Sequence, residues 1–159
     1  MLDVDDDAAF RAVLLSCCDA PAWAERVLAR RPFADPDALL VAAGEELAAT
    51  SEADVDTALA AHPRIGERPA GAASQREQSA ALAADAGVLA ELAAGNAEYE
   101  ARFGHVYLVC ASGRSAEELL AVLRSRLGND PATERRVLRT ELAAITRLRL
   151  RRALDGAPA

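Results

Sequence analysis

Val106-Tyr107-Leu108-Val109-Cys110-Ala111 is the stretch whose reading decides the fold class, being short, apolar and rich in β-branched and aromatic residues. Its composition suits an extended segment. One lone strand cannot form a sheet, so the run is expected to be a single extended piece in an otherwise helical chain. Upstream, Leu89, Leu92, Asn96 and Tyr99 fall on one helical face that Gly104 stops. Downstream, Ser115 opens a helix carrying Leu119, Leu120, Leu123 and Leu127, which Gly128-Asn129 is expected to end. Asp130-Pro131 then starts the last and longest helix, running to about Leu154.

The N-terminal half reads the same way. Asp5, Asp6 and Asp7 precede Phe10, Val13 and Leu14, and acids at a helix start favour the positive end of its dipole. Pro21 opens a helix with Trp23, Val27 and Leu28; Asp35-Pro36 opens another with Leu39, Leu40 and Leu47. Ser51 with Asp54 starts a short helix through Val55 and Leu59. Residues 62–73 lose the periodicity and read as a loop or an irregular short helix. Ser74-Gln75-Arg76-Glu77 has the form of a capping box, with helix expected to about Ala84. The expectation is an all-α chain of about seven to nine helices, one domain over residues 1–159, with no internal repeat or linker.

Composition supports this reading. The chain has 159 residues, 52% apolar but only 4% aromatic. Its core must therefore come from Ala, Leu and Val, and alanine is the best helix former. A domain of this size buries roughly 68–70% of its unfolded surface, enough for a core without metals or disulfides. The net charge of −7 argues against nucleic acid or an anionic membrane surface as partner. All 18 basic residues are Arg. Without Lys no side-chain amine can form a Schiff base, which excludes lysine-imine and pyridoxal-phosphate mechanisms. Cys17, Cys18 and Cys110 have no metal or redox spacing and read as reduced core thiols. With no apolar run of transmembrane length, no leader and no peroxisomal ending at Gly156-Ala157-Pro158-Ala159, the chain is expected to be cytoplasmic.

Three residues stand out for chemistry. His62 ends a helix where a Pro-containing irregular segment begins. It reads either as a surface or capping histidine or as a proton-transfer group near neutral pH. Glu77 reads as the third-position acid of a capping box, whose exposed helix amides could equally hold an anion. Arg149 follows Leu142 by seven residues and Ile145 by four, so it shares their apolar face while Arg147 and Arg151 fall opposite. A guanidinium directed inward needs a buried carboxylate or an anionic substrate. Arg31-Pro32-Phe33 reads as a packing turn, and Arg126-Leu127-Gly128-Asn129-Asp130-Pro131 as cap chemistry.

Taken together, the segments resemble the 2-oxo-4-hydroxy-4-carboxy-5-ureidoimidazoline (OHCU) decarboxylase family along nearly the whole chain. The matching pieces are Trp23, Arg31-Pro32-Phe33, Ala61-His62-Pro63-Arg64-Ile65-Gly66, Ser74 with Glu77-Gln78, Asn96 and Tyr99. They continue through Phe103-Gly104-His105, Arg126-Leu127 with Asn129-Asp130, and Ile145-Thr146-Arg147-Leu148-Arg149-Leu150. The resemblance implies an all-α enzyme of urate breakdown that forms (S)-allantoin and CO₂, works as a homodimer and needs no cofactor; two His without ligand spacing make a metal site unexpected. It implies His62 as catalytic acid/base and Glu77 as its carboxylate partner. Pro63, Ser74, Gln75, Arg76, Gln78 and Arg149 would line the site. The backbone of Tyr107, Leu108, Val109, Cys110 and Ala111 would hydrogen-bond the substrate. The family often has Phe where this chain has His105, which is given no catalytic role. Two other readings compete: a helical adaptor whose apolar groove binds a partner helix, and a ring-opening or hydrolytic step of the same pathway.

Overall fold

The structure is a computed structural model that describes residues 5–67, 69 and 71–156. The sequence ending at residues 157–159 therefore lies outside the described residues. Among those described there are nine helices and no strand, as an all-α chain requires. They are α1 (Asp7–Cys17), α2 (Pro21–Leu28), α3 (Pro36–Ala48), α4 (Glu52–Leu59), α5 (Ala72–Glu77), α6 (Ser79–Leu82), α7 (Ala86–Phe103), α8 (Ala116–Arg126) and α9 (Pro131–Leu154).

Most helix starts follow from local chemistry. Asp6 accepts from the amides of Ala8 and Ala9, Asp35 from Ala38, Ser51 from Asp54 and Asp85 from Val88. Ser115 and Glu118 form a reciprocal capping box, and Asp130 accepts from the Thr133 amide. Each such cap contributes about 0.5–2 kcal/mol. Pro21, Pro36 and Pro131 open their helices, where the missing N–H costs nothing. Gly104, at φ 76°, closes α7 in the left-handed conformation.

One local expectation fails. The helix after the irregular segment begins at Ala72 with Gly71 as its N-cap, so Ser74 is its third residue and Glu77 its last. The Ser74–Glu77 capping box does not form, because both residues are already inside the helix. The start lies three residues earlier, so the Gln75 amide, expected free, is already spent on the Gly71 carbonyl at 2.9 Å. Gly128-Asn129 follows the end of α8 as expected, with Leu127 as the C-cap; Gly128 has no positive φ, and the Asn129 N–H donates to the Arg126 carbonyl at 3.0 Å.

The chain divides into two compact units, residues 1–61 with 143–159, and residues 62–142. In the first, α1 packs on α2 and α2 on α3. Trp23 is fully buried, and its indole N–H donates to the Ala43 carbonyl at 3.0 Å. The Arg31-Pro32 peptide is cis; beside it Phe33 meets Phe10 edge-on, centroids 6.3 Å apart. No disulfide joins any of the cysteines. Burial pushes the Cys18 thiol up to about 11, against a hydrogen bond to Thr146.

In the second unit α8 packs on α6 and α7. The core holds Ile65, Leu92, Tyr99, Tyr107, Val109, Leu119 and Leu123, each large apolar side chain contributing about 1.5–3 kcal/mol on burial. Gly95 lets α7 approach α8, since a Cβ there would lie 2.6 Å from a Leu123 methyl. Across this core runs a buried polar cluster. Arg126, 5% exposed, pairs with Glu134, 0% exposed; Nε lies 2.7 Å from Oε1. Tyr99 donates its hydroxyl to the same carboxylate, and the Asn129 amide donates to its other oxygen at 3.1 Å. Arg126 also donates to the Leu108 carbonyl at 2.6 Å and lies over the Tyr107 ring at 4.9 Å.

Breaking such a pair strands a buried charge. Arg126→Met is expected to cost about 3–5 kcal/mol in chemical denaturation, and Arg126→Met with Glu134→Leu to recover part of that loss. A double variant no more stable than the single would refute the stranded-charge explanation. Burial alone would raise the Glu134 pKa, but hydrogen bonds from Arg126, Tyr99 and Asn129 outweigh it and hold it below 4.5. A depressed carboxylate adds stability above its unfolded pKa and loses it as pH falls through the folded one. Acid titration should therefore show wild-type stability falling below about pH 4.5, with a shallower fall in Glu134→Gln.

Candidate active site

His62 opens the second unit and is half-buried in the loop between α4 and α5. That loop has no ladder of its own, so its backbone groups need partners from elsewhere. Two buried amides supply them. The Gln78 side chain, 3% exposed, accepts from the Gly66 N–H at 3.0 Å and donates to the Arg64 carbonyl at 3.4 Å. Asn96 on α7, 2% exposed, donates to the Ile65 carbonyl at 2.8 Å. Its own Oδ1 has no hydrogen-bond partner among the described residues. Gly66 adopts φ 88°, a conformation that disfavours any side chain. At the loop surface Arg64 makes a two-point ion pair with Glu100, at 2.7 and 3.2 Å.

Glu77 is buried, 7% exposed, at the end of α5. Its charge reaches the Cys110 thiol, which burial pushes up first and the Glu141 and Glu77 carboxylates push further. Glu77 and Cys110 thus lie within electrostatic reach of each other in one unit. Of the other expected site residues, Pro63 and Ser74 are half-buried, while Gln75 and Arg76 are exposed. Gln75 donates its amide to the Pro69 carbonyl at 2.9 Å. Gln78 was expected at the site as a substrate contact; both ends of its amide are engaged by the histidine loop.

Residues 106–111 run without turn or bend between α7 and α8. Tyr107, Leu108, Val109 and Ala111 are buried and Cys110 is half-buried. The Tyr107 hydroxyl donates to the Leu119 carbonyl at 3.0 Å, and burial raises its pKa. The Cys110 N–H donates to the Glu141 carboxylate at 2.8 Å. Glu141 carried no signal in the sequence, because its partner lies 31 residues away. His105 stacks on Phe103 with centroids 6.2 Å apart, which suits a packing residue.

Arg149 lies on the part of α9 that belongs to the first unit. It is half-buried beside the buried stripe of Ile145, Thr146 and Leu150, and its charge tempers the Cys18 thiol. Arg147 is exposed, and Arg151 pairs with Asp37 at 2.6 Å. The same unit has a cleft of about 190 Å³ lined by Leu40, Ala43, Gly44, Leu47, Ala143, Ala144, Thr146, Arg147 and Leu150. It is almost wholly apolar and offers no acid or base. Among the described residues no three His, Cys, Asp or Glu side chains are grouped to hold a metal ion. No described helix is long and apolar enough to cross a membrane.

Comparison with known proteins gives one consistent result. The OHCU decarboxylase family model matches residues 5–151. The 2-oxo-4-hydroxy-4-carboxy-5-ureidoimidazoline decarboxylase of Amia calva is 33% identical over 137 residues, 82% of this chain and 78% of that protein. The uric acid degradation bifunctional protein TTL of Arabidopsis thaliana is 32% identical over 142 residues, 84% of this chain. This chain spans only 44% of that longer protein. A crystal structure of OHCU decarboxylase in the presence of (S)-allantoin superposes with a TM-score of 0.79 at 30% identity, covering 89% of this chain and 96% of that one. An (S)-allantoin synthase structure shares the fold at 18% identity, with a TM-score of 0.69 over 92% of this chain and 52% of its own. With a family match across nearly its full length and relatives above 30% identity, the chain belongs to the OHCU decarboxylase family.

Proposed function

We propose that this chain converts OHCU to (S)-allantoin and CO₂, with His62 as the acid/base and Glu77 as the carboxylate that holds it. The observation that carries the reading is the histidine loop itself. In a chain of this family, the half-buried His62 leads into a segment whose next backbone groups are fixed by two buried amides. A proton-transfer group needs such fixing, because a small misplacement of the reacting atoms is costly in rate.

The substrate's name gives its chemistry. Hydroxyl and carboxyl share one ring carbon, and the neighbouring carbon bears the ureido group and the ring C=N. Loss of CO₂ leaves an electron pair beside that C=N, which takes it up as the ring nitrogen gains a proton. The hydroxyl then gives up its proton while the ureido-bearing carbon gains one. The substrate thus supplies its own electron sink. The protein's part is to orient the carboxylate and to move protons on one face. His62 would take the hydroxyl proton and favour one face for protonation of carbon, which makes a single enantiomer.

Backbone groups of the 107–111 run would bind the ureido and ring amides, with Pro63, Ser74, Gln75, Arg76 and Gln78 around them. For Arg149, proposed to bind a substrate anion, the support is sequence alone. The same resemblance supports a homodimer and a cytoplasmic enzyme.

OHCU generated in situ from urate tests the reading. Wild-type protein should accelerate CO₂ release and give optically active allantoin; racemic product at the spontaneous rate would remove it. His62→Ala should lower kcat by about 10²–10⁴ while the fold persists by circular dichroism. Retention of the wild-type kcat would show that another group moves the proton.

A further inference from the structure

The run Tyr107–Ala111 has no strand beside it, yet its backbone is not left to chance. It passes without turn or bend, and in extended backbone the N–H and C=O of one residue point to one side and those of the next to the other. Two charged side chains grip the same side. Arg126 donates to the Leu108 carbonyl at 2.6 Å, and Glu141 accepts from the Cys110 N–H at 2.8 Å. Hydrogen bonds to ionised groups are roughly twice as strong as neutral ones. Arg126 is itself locked by Glu134, so the grip from that end is rigid.

Val109 lies between the gripped residues, on the other side by the alternation. It is 2% exposed, and among the described residues neither its N–H nor its C=O has a hydrogen-bond partner. Buried backbone groups without partners are rare in native proteins. A donor and an acceptor facing one way from one residue match a group that presents a C=O and an N–H side by side. A urea or a ring amide does so.

We propose that Glu141 is a positioning residue for the reaction. By holding the Cys110 N–H, in concert with Arg126 on Leu108, it turns the donor–acceptor pair of Val109 toward the substrate's ureido or ring amide. This rests on the decarboxylase reading above. It adds to it a residue that touches no substrate and acts through the backbone it fixes.

The test compares Glu141→Ala with Glu141→Gln, whose amide oxygen can accept the same bond. In Glu141→Ala, KM for OHCU and Kd for (S)-allantoin should both rise about tenfold, with kcat within about twofold. Glu141→Gln should fall nearer to wild type, since a neutral acceptor keeps the geometry with a weaker bond. A merely structural role would lower stability and leave the KM-to-kcat split untouched. If Glu141→Ala does not fold, Glu141→Gln carries the comparison, with a rise in KM and Kd of about two- to threefold. Unchanged KM and Kd in an active protein, or a Gln variant as impaired as the Ala variant, would overturn the role of Glu141. A wild-type protein that neither turns over OHCU nor binds (S)-allantoin would overturn the decarboxylase reading and this inference with it. An active wild type with a disabled His62→Ala and an unaffected Glu141→Ala would overturn this inference alone.

Discussion

The second unit is organised around one buried guanidinium. Taking Arg126 and Glu134 out of water costs several kcal/mol per ion, so the structure holds together there only if their hydrogen-bonding groups are met. They are met by groups from four segments: Tyr99 of α7, the Leu108 carbonyl of the extended run, Asn129 of the turn and Glu134 of α9. The Tyr99 and Tyr107 rings cover the guanidinium at 5.8 and 4.9 Å. Hydrophobic burial would tolerate many registers between these elements. A planar donor with fixed partners tolerates few, and that converts a Leu- and Ala-rich core into one with a defined arrangement.

A second consequence concerns backbone outside helices. Helices satisfy their own carbonyls and amides, whereas the loop at 62–67 and the run at 106–111 have no sheet to do so among the described residues. Side chains satisfy them instead, Gln78 and Asn96 in the loop, Arg126 and Glu141 in the run. In an all-α chain, irregular backbone is where donors and acceptors remain for a ligand. The residues that hold such backbone therefore set the geometry of whatever binds there, even where they touch nothing but backbone.

Helix boundaries were largely legible, because capping is local chemistry. Asp35-Pro36, Ser51 with Asp54, Ser115 and Asp130-Pro131 all start helices as their side chains dictate. The Ser74–Glu77 pattern misled for the same reason: four residues cannot say whether an acid is used locally or buried elsewhere. Arg126 left a signal, lying three residues after Leu123 on the apolar face of α8, but the neighbouring Gly128-Asn129 suggested an ordinary helix end. Asn96 left one too, as a polar residue between Leu92 and Tyr99. His62 was selected by residue type and by family resemblance, and Glu77 by that resemblance together with a capping pattern the fold does not use. The partners of Gln78, Asn96 and Glu141 lie 12, 31 and 31 residues away in the chain. Spacing of that length carries no local periodicity, so only the fold could reveal them.

Magnitudes rank the contacts that hold the histidine loop. The Arg64–Glu100 pair looks strong by distance, but Arg64 is half exposed, and exposed ion pairs contribute about 0–1 kcal/mol. The amide bonds from Gln78 and Asn96 are neutral, yet both side chains are buried. Removing either leaves a loop carbonyl or amide without its partner, a loss of about 1–3 kcal/mol where the group is dry. The loop is therefore held chiefly by uncharged groups, which has a chemical advantage. A charged clamp at the same place would bias the protonation of a neighbouring imidazole. A neutral one fixes the backbone that follows His62 without adding a charge beside it.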